Sequence, residues 1–450
     1  MNIIIALSRR IPWLSQLDQH MKEVVRGASV AFILRLLGVG LGFGFNVLLA
    51  RLLGAKGAGI YYLALTVVTI STIFGRLGLG NALLRFVADS SEQGDWAKVA
   101  GAYRQGIKIA AGAAAVVTVV VFLGASWIAE HVFAKPNLAA PLRLMTLSVW
   151  PLSLVNIYAE LLKGLKKIRD AVFIQAAGIP IISLPVLALI GSRLGVNGAV
   201  AAYLFATVVV LALGYFLWRR ATLRIKGVAG HFDTRLLVST SLPLFWVALM
   251  NWVIGNADTV ILGMLANSKL VGVYGAALRV SMLTSFVLFA VNTIVAPKFA
   301  ALYAQNQLQE LSALARNAAK FMTLVTAPVL LLFIVVPAWI LGLYGPEFTS
   351  GAPALSILAV GQFVNVVTGS VGYLLIMTGH EKLMRNNIIV SAALNLVLNV
   401  VLIENFGIIG AAAANAISVA FMNLVSAYLV YRKLSIFTIP LPKKLFNYAK

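Results

Sequence analysis

The sequence LARLLGAKGAGIYYLAL at residues 49–65 recurs in altered form as LGMLANSKLVGVYGAAL at residues 262–278. Sliding the chain against itself to superpose the two stretches pairs Leu49 with Leu262, Leu52 with Leu265, Gly59 with Gly272, Tyr61 with Tyr274 and Ala64 with Ala277. Further on, Arg85, Phe86 and Ala88 fall on Lys298, Phe299 and Ala301. The second copy predicts a chain built from two similar halves.

The repeat continues to the end of the chain once the displacement shortens by a single position. The pairs are then Arg104 with Arg316, Lys108 with Lys320, Trp127 with Trp339, Pro141 with Pro353, Gly195 with Gly407, and Gly198 with Gly410. Apolar residues match often by accident, but tryptophan, proline and arginine do not. One duplication therefore covers nearly all 450 residues.

The composition predicts that each half crosses a membrane. The chain is 61% hydrophobic and only 11% charged. A helix needs about 20 apolar residues to cross a bilayer, and twelve stretches are long enough. They are residues 27–50, 58–82, 106–128, 139–162, 171–191, 196–218, 238–263, 270–296, 320–343, 352–377, 386–403 and 409–431. Because these stretches do not alternate apolar and polar residues, a barrel is excluded.

The predicted fold is therefore an all-α integral membrane protein with about twelve transmembrane helices. Six helices per half is an even number, so both halves enter the membrane from the same side and form a parallel repeat. The predicted domains are an N-terminal segment (1–26), two six-helix lobes (27–218 and 237–431), a linker (219–236) and a basic tail (432–450). Residues 1–20 form either an interfacial amphipathic segment anchored by Trp13 or a plain tail.

The net charge of +22 is distributed in a way that predicts the orientation of the chain. Of the 36 lysines and arginines, 27 fall in segments on the side of the two termini and six on the opposite side. The positive-inside rule then predicts cytoplasmic termini and a multi-pass protein of the inner (plasma) membrane. It also makes nucleic-acid binding unnecessary as an explanation of the charge. The remaining three arginines, Arg35, Arg76 and Arg279, lie within spans.

In the N-terminal half, Arg35 shares one helix face with Gly38, Gly42 and Asn46, because steps of three or four residues return to the same face. Two interpretations remain open. Either this stripe lines a cavity, or the glycines pack against another helix and Arg35 extends to the interface. Arg76 likewise aligns with Thr69 and Thr72, as a cavity residue or an interfacial anchor.

In the C-terminal half, Asn251, Gly255 and Asp258 form one stripe on helix 7, and Arg279 lies in helix 8. An ionised group within the bilayer costs roughly 2.5–3.5 kcal/mol, so it faces either a partner or a wet cavity. One interpretation is an ion pair between Asp258 and Arg279. The other assigns Arg279 to an anionic substrate and Asp258 to a proton or a sodium ion. Elsewhere, Glu160 is expected to pair with Lys163.

Motifs of catalysis and cofactor binding are absent from the sequence. It has no nucleotide-binding loop, no nucleophile elbow, no cluster of metal ligands and no cysteine. We therefore predict a transporter rather than an enzyme, without cofactor or metal. Its energy would come from an ion gradient, the membrane potential or consumption of the product.

Three segments carry a resemblance to a known family. They are residues 49–54 followed by 59–61, Asp258 with residues 262–263 and 272–277, and residues 407–411. Together they resemble the polysaccharide (Wzx-type) flippases of the multidrug, oligosaccharidyl-lipid and polysaccharide exporter superfamily. The resemblance implies a V-shaped pair of lobes that moves an undecaprenyl-diphosphate-linked oligosaccharide, such as an O-antigen or exopolysaccharide unit, to the outer leaflet. It also implies contact with membrane lipid and with glycan-assembly proteins such as a polymerase.

The resemblance makes Arg35 and Arg279 the expected diphosphate ligands, with Asn46, Arg76 and Asn251 as further substrate-binding candidates. The principal alternative is a multidrug exporter of organic cations, but helices 1–3 lack the acidic residue expected of one. A transporter of lipid-linked peptidoglycan precursor would have two more helices. A membrane glycosyltransferase would need a carboxylate site or a large external loop. The repeat also places Arg279 opposite Thr66 and Asp258 opposite Phe45, so the halves differ in polar chemistry.

Overall fold

The computed structural model describes residues 19–223, 228 and 230–439, and all its regular elements within these ranges are helices. Eight of the helices are long and apolar enough to cross a membrane. Three of these eight are interrupted by a glycine with positive φ: Gly54 (64°), Gly195 (56°) and Gly407 (54°). Glycine adopts this backbone conformation without steric cost. Each glycine ends one membrane crossing and starts the next.

The three breaks and one bent pair bring the number of crossings in the described chain to twelve, as predicted. The bent pair, Pro136–Thr146 with Val149–Gly164, changes direction by 43°. The crossings are α1 (19–53), α2 (55–76), α3 (Trp96–Trp127), α4 (136–164), α5 (168–194), α6 (196–221), α7 (Thr234–Leu265), α8 (268–304), α9 (Leu308–Val335), α10 (346–368), α11 (381–406) and α12 (408–434). Short helices Leu79–Glu92 and Val371–Met377 follow α2 and α10.

Two helices begin well before their predicted spans, and they do so at equivalent positions of the repeat. α3 begins at Trp96 and α9 at Leu308, which the repeat pairs with each other. Hydropathy marks the part of a helix that lies in the bilayer, whereas polar turns outside it remain helical. At α3, the side chain of Asp95 caps the first turn by accepting a hydrogen bond from the backbone N–H of Lys98 at 3.0 Å.

The connection between the lobes is shorter than the predicted linker of residues 219–236. α6 ends at Ala221 and α7 begins at Thr234, because the flanking arginines continue both helices. Within this connection, residues 224–227 and 229 lie outside the described part, as do residues 1–18 with the predicted Trp13 anchor and residues 440–450. The backbone at Gly230 packs against Gly101 of α3.

The lobes share a large hydrophobic cluster at one face of the molecule and are joined there more extensively than at the other. We call the face where α1 begins and α12 ends the terminal face, and the opposite one the far face. A hydrophobic cluster near the far face combines residues of both lobes, including Leu49, Tyr61 and Leu262. Toward the terminal face, one cluster (around Leu83) combines the N-terminal lobe with Leu237 of α7, and another (around Phe299) belongs to the C-terminal lobe.

The lobes approach most closely where α2 crosses α8. A Cβ atom at Gly59 would collide with the carbonyl oxygen of Ser268, and one at Gly272 would collide with that of Ala55. Gly59 and Gly272 are equivalent positions of the repeat. The two backbones therefore touch on the approximate two-fold axis that relates the lobes. Small residues at such a crossing permit the backbone contact.

A second pair of equivalent residues links the lobes at the far face. Lys135, between α3 and α4, donates from Nζ to the carbonyl oxygen of Gly263 near the end of α7. Glu347 is the repeat equivalent of Lys135, and its Oε1 accepts the backbone N–H of Ala55 at 2.7 Å, at the start of α2. Each side chain thus satisfies a backbone group at the end of a helix in the opposite lobe.

We expect Gly59→Ala and Gly272→Ala each to lower the melting temperature of the detergent-solubilised protein. Either methyl group must separate α2 from α8, and overpacking of this kind costs about 1–3 kcal/mol. Gly44→Ala is the matched control, because a Cβ there meets nothing within 4 Å. Alanine in place of glycine should leave that helix unchanged or stabilise it by up to about 1 kcal/mol. Equal melting temperatures for all three variants would contradict the crossing.

Candidate functional site

Arg279 of the C-terminal lobe lies against an aromatic ring of the N-terminal lobe. Its guanidinium carbon lies 3.6 Å from the centroid of the Tyr62 ring on α2, and Nη1 donates to the carbonyl oxygen of Gly275 at 3.0 Å. Gly275 is the repeat equivalent of Tyr62. The N-terminal half therefore supplies the ring, and the C-terminal half supplies a glycine that leaves space beside it. Arg279 therefore reaches the interface between the lobes one to two turns from the Gly59–Gly272 crossing.

Arg35 makes the reverse contact. Its guanidinium carbon lies 3.3 Å from the ring centroid of Phe289 on α8, so an arginine of the N-terminal lobe covers a ring of the C-terminal lobe. One turn away, the rings of Phe32 and Phe286 contact each other across the same interface with centroids 5.3 Å apart. Phe289 follows Arg279 by ten residues, which corresponds to about 15 Å along a helix. The structure therefore holds the two arginines at separate levels.

Stacking leaves both arginines able to bind an anion. A guanidinium contacts an aromatic ring through its face, whereas its N–H donors lie in the plane and form a fork suited to phosphate. Among the described residues, the ion pairs are those of Arg85, Lys98, Lys163 and Lys166, and none involves Arg35 or Arg279. Within the described chain, neither stacked arginine thus has a carboxylate partner that neutralises its charge.

The other predicted substrate-binding residues are bonded to their own helices. Asn46 Nδ2 donates to Gly42 O at 2.7 Å, Asn251 Nδ2 to Val247 O at 2.9 Å, and Arg76 Nε to Thr72 O at 3.2 Å. Arg76 is the last residue of its helix, Asn46 is half-buried and Asn251 is exposed. None of the three has a hydrogen bond to either stacked arginine. The predicted pair of Glu160 with Lys163 is confirmed at 2.8 Å.

Asp258 is fully buried inside the C-terminal lobe, where neutral groups hold its carboxylate. Tyr274 Oη donates to Oδ2 at 2.6 Å, Asn415 Nδ2 donates to Oδ2 at 2.9 Å, and the backbone N–H of Thr259 donates to Oδ1 at 2.6 Å. The ion pair with Arg279, one of the two sequence-based interpretations, is wrong. Tyr274 of α8 and Asn415 of α12 donate hydrogen bonds to the carboxylate. The side chain of Arg279 points instead toward the N-terminal lobe.

The N-terminal lobe has the same arrangement without its polar chemistry. The residues equivalent to Asp258, Tyr274 and Asn415 are Phe45, Tyr61 and Tyr203. The Phe45 and Tyr61 rings contact each other with centroids 5.9 Å apart. An aromatic contact in one lobe thus stands where the other has a hydrogen bond to a carboxylate.

Sequence reasoning missed the partners of these residues. Tyr62 and Phe289 belong to a chain with 13 tyrosines and 23 phenylalanines, so type and spacing did not distinguish them. A further contact joins the lobes where Trp252 Nε1 donates to Thr69 Oγ1 at 3.1 Å. The repeat offered one signal. Tyr61 has a tyrosine, Tyr274, at its equivalent position, whereas the equivalent of the adjacent Tyr62 is Gly275.

A family model described as polysaccharide biosynthesis protein matches residues 24–303, which is more than half of the chain. The chain belongs to that family. A second model, MatE, matches residues 243–401. The earlier resemblance to the polysaccharide flippases is therefore confirmed.

Among curated relatives, a probable low-salt glycan biosynthesis flippase of Haloferax volcanii, Agl15, is 24% identical over 414 residues. The match covers 90% of this chain and 83% of the relative. An inward-facing multidrug resistance MATE family transporter aligns with a TM-score of 0.75 at 14% identity, covering 91% of this chain and 98% of that one. The lipid II flippase MurJ aligns with a TM-score of 0.71 at 15% identity, covering 90% and 87%. These structures show that the chain shares its fold with both of these proteins.

We expect Tyr274→Phe to destabilise the protein by about 1–3 kcal/mol, because it removes a donor from a buried carboxylate. Tyr62→Phe is the control, since the Tyr62 hydroxyl has no hydrogen-bond partner among the described residues. The melting temperatures of the two variants in one detergent give the comparison. If Tyr274→Phe and the wild type have the same melting temperature, the hydrogen bond between Tyr274 and Asp258 does not stabilise the protein.

Proposed function

We propose that this protein is a flippase that moves a lipid-linked oligosaccharide across the membrane by alternating access. The observation that carries the proposal is the reciprocal stacking of Arg35 and Arg279 on rings of the opposite lobe, without a carboxylate partner. Such a site favours an anion at the interface where the lobes must separate. Family membership supports it, as does a relative named as a glycan biosynthesis flippase.

The proposed ligand of the two arginines is the diphosphate that joins the lipid to the glycan. A guanidinium binds phosphate oxygens through two parallel charge-assisted hydrogen bonds. Because the arginines lie at levels about 15 Å apart, one diphosphate is too short to bind both at once. The diphosphate would pass from Arg35, nearer the terminal face, to Arg279, nearer the far face. At each arginine, the in-plane N–H donors would bind the phosphate.

We propose that the substrate is an undecaprenyl-diphosphate-linked repeat unit of an O-antigen or exopolysaccharide. The protein would move it from the inner to the outer leaflet. The excess of basic residues on the side of the termini supports cytoplasmic termini in an inner (plasma) membrane. The hydrophobic cluster that both lobes share at the far face supports a barrier on that side of the membrane.

A multidrug exporter of organic cations is the second candidate, because the MatE model matches residues 243–401. The charge at the interface argues against it. The two arginines that stack across it have no carboxylate partner among the described residues, and the buried acid Asp258 is enclosed within one lobe. A cation would meet Arg35 and Arg279 before it met that carboxylate.

Arg35→Ala and Arg279→Ala should each reduce the flipping of a polyprenyl-diphosphate-linked saccharide at least tenfold. Each loses a charged hydrogen bond worth about 1.5–3 kcal/mol, and about 1.4 kcal/mol corresponds to a factor of ten. The assay uses protein in proteoliposomes and measures how much saccharide becomes accessible to an impermeant glycosidase. Arg193→Ala, at an exposed position, is the matched control.

Flipping at the wild-type rate by both arginine variants would contradict the assignment. Export of an organic cation by the wild type, with no flipping, would favour the second candidate instead. Arg279→Lys separates charge from geometry, because lysine keeps the charge and loses the fork. We expect it to recover part of the activity.

We further propose that Asp258 couples transport to a proton or a sodium ion, because it is an acid buried within the bilayer. Asp258→Asn should keep substrate binding and abolish the dependence of flipping on an imposed proton or sodium gradient. Asp89→Asn removes an acid from an exposed pair with Arg85 and should leave that dependence intact. A gradient response retained by Asp258→Asn would exclude the coupling role.

A further inference from the structure

A second cluster of arginines surrounds a cavity of about 550 Å³ at the terminal face of the N-terminal lobe. The cavity lies between the first turns of α3 and the last turns of α6. Its lining includes Tyr103, Arg104, Tyr215, Trp218, Arg219 and Arg220. It is separate from the inter-lobe interface that holds Arg35 and Arg279.

Three arginines share this cavity without a carboxylate. Within the described chain, no acidic residue lines it, and the ion pairs found there all use other bases. Arg104 Nη2 donates to the carbonyl oxygen of Val228 at 2.9 Å, and the guanidinium of Arg219 lies 5.6 Å from the Tyr215 ring centroid. Like charges around one cavity repel one another, so a bound anion would relieve the repulsion.

The floor of the cavity is aromatic and closely packed. Trp218 is 1% exposed and stacks on Tyr103 with ring centroids 4.9 Å apart. The hydroxyl of Tyr103 lies 3.3 Å from that of Tyr158. Tryptophan and tyrosine rings are typical of the boundary between acyl chains and headgroups. Beside the cavity, Phe216 is 61% exposed and offers an apolar surface to an acyl chain.

We propose that this cavity binds the headgroup of an anionic phospholipid. Arg104, Arg219 and Arg220 would hold the phosphate, and the acyl chains would lie along Tyr215 and Phe216. Basic pockets between transmembrane helices on the cytoplasmic side are suited to such headgroups. Because Arg104 also holds the carbonyl of Val228, a bound lipid adjoins the connection between the lobes.

The repeat shows which lining residues of the cavity also occur in the C-terminal lobe and which do not. The equivalents of Arg104 and Arg220 are Arg316 and Arg432, so two arginines occur in both lobes. The equivalents of Tyr103, Trp218 and Arg219 are Ala315, Val430 and Tyr431. The C-terminal lobe therefore lacks the aromatic floor and the third arginine, and it provides an internal control at the same face of the protein.

The test measures the melting temperature of the full-length protein in neutral detergent with added phosphatidylglycerol or with phosphatidylcholine of identical chains. We expect phosphatidylglycerol to raise the melting temperature more. The double variant Arg104→Gln/Arg220→Gln should lose at least half of that difference. Arg316→Gln/Arg432→Gln removes the same charge from equivalent positions and should retain it. Native mass spectrometry of retained phosphatidylglycerol provides a second readout if a variant is less stable.

Equal loss in the two double variants, or no loss in either, would overturn the proposal. A third arm uses inorganic phosphate at the same concentration. If phosphate alone reproduces the full rise, the site is one for a free anion and the lipid assignment is wrong. Arg219→Lys should retain part of the effect, because it keeps the charge and loses the planar fork. These results do not depend on flipping activity, so they stand apart from the proposed function.

Discussion

The backbone contact between Gly59 and Gly272 determines how the rest of the interface is built. Two helices can approach this closely only where neither carries a side chain, and in a membrane such packing replaces the hydrophobic effect as the force between helices. The contact lies on the axis that relates the lobes and fixes the register of α2 against α8. Tyr62 therefore lies beside Gly275 one turn later, which allows Arg279 to stack on its ring. The stacked arginine thus depends on a crossing that itself contains no charge.

The duplicated scaffold carries different chemistry in its two halves. Phe45 and Tyr61 pack as two rings in the N-terminal lobe, whereas Asp258 accepts a hydrogen bond from Tyr274 at the equivalent place in the C-terminal lobe. A buried carboxylate is costly unless it is hydrogen-bonded, and the surrounding donors provide those bonds. The C-terminal lobe therefore has a carboxylate at this position, whereas the N-terminal lobe has two packed rings. The proposed substrate contacts lie between the two lobes.

Much of this architecture could be predicted from the sequence, because a bilayer imposes length, apolarity and helical structure. The number of helices followed from those constraints, and the repeat identified Gly59 and Gly272 as a related pair. Orientation across the interface could not be predicted. Asp258 and Arg279 lie on neighbouring helices, which suggested an ion pair, but sequence spacing does not show which way each side chain points. Asp258 turned to Tyr274 within its lobe, and Arg279 turned to Tyr62 in the other. The starts of α3 and α9 differed from prediction because hydropathy does not report helix outside the membrane.

The far-face contacts of Lys135 and Glu347 show that the two halves are no longer interchangeable. Both occupy the same place in the repeat, yet one donates to a carbonyl at the end of a helix and the other accepts an N–H at the start of one. A protein made of two copies of the first half would place a lysine ammonium against the N–H groups of a helix N-terminus, where it finds no acceptor. Two copies of the second half would place a carboxylate against carbonyl oxygens. After the duplication, divergence at this position made the far-face contacts of each half complementary to the other half and not to a copy of itself.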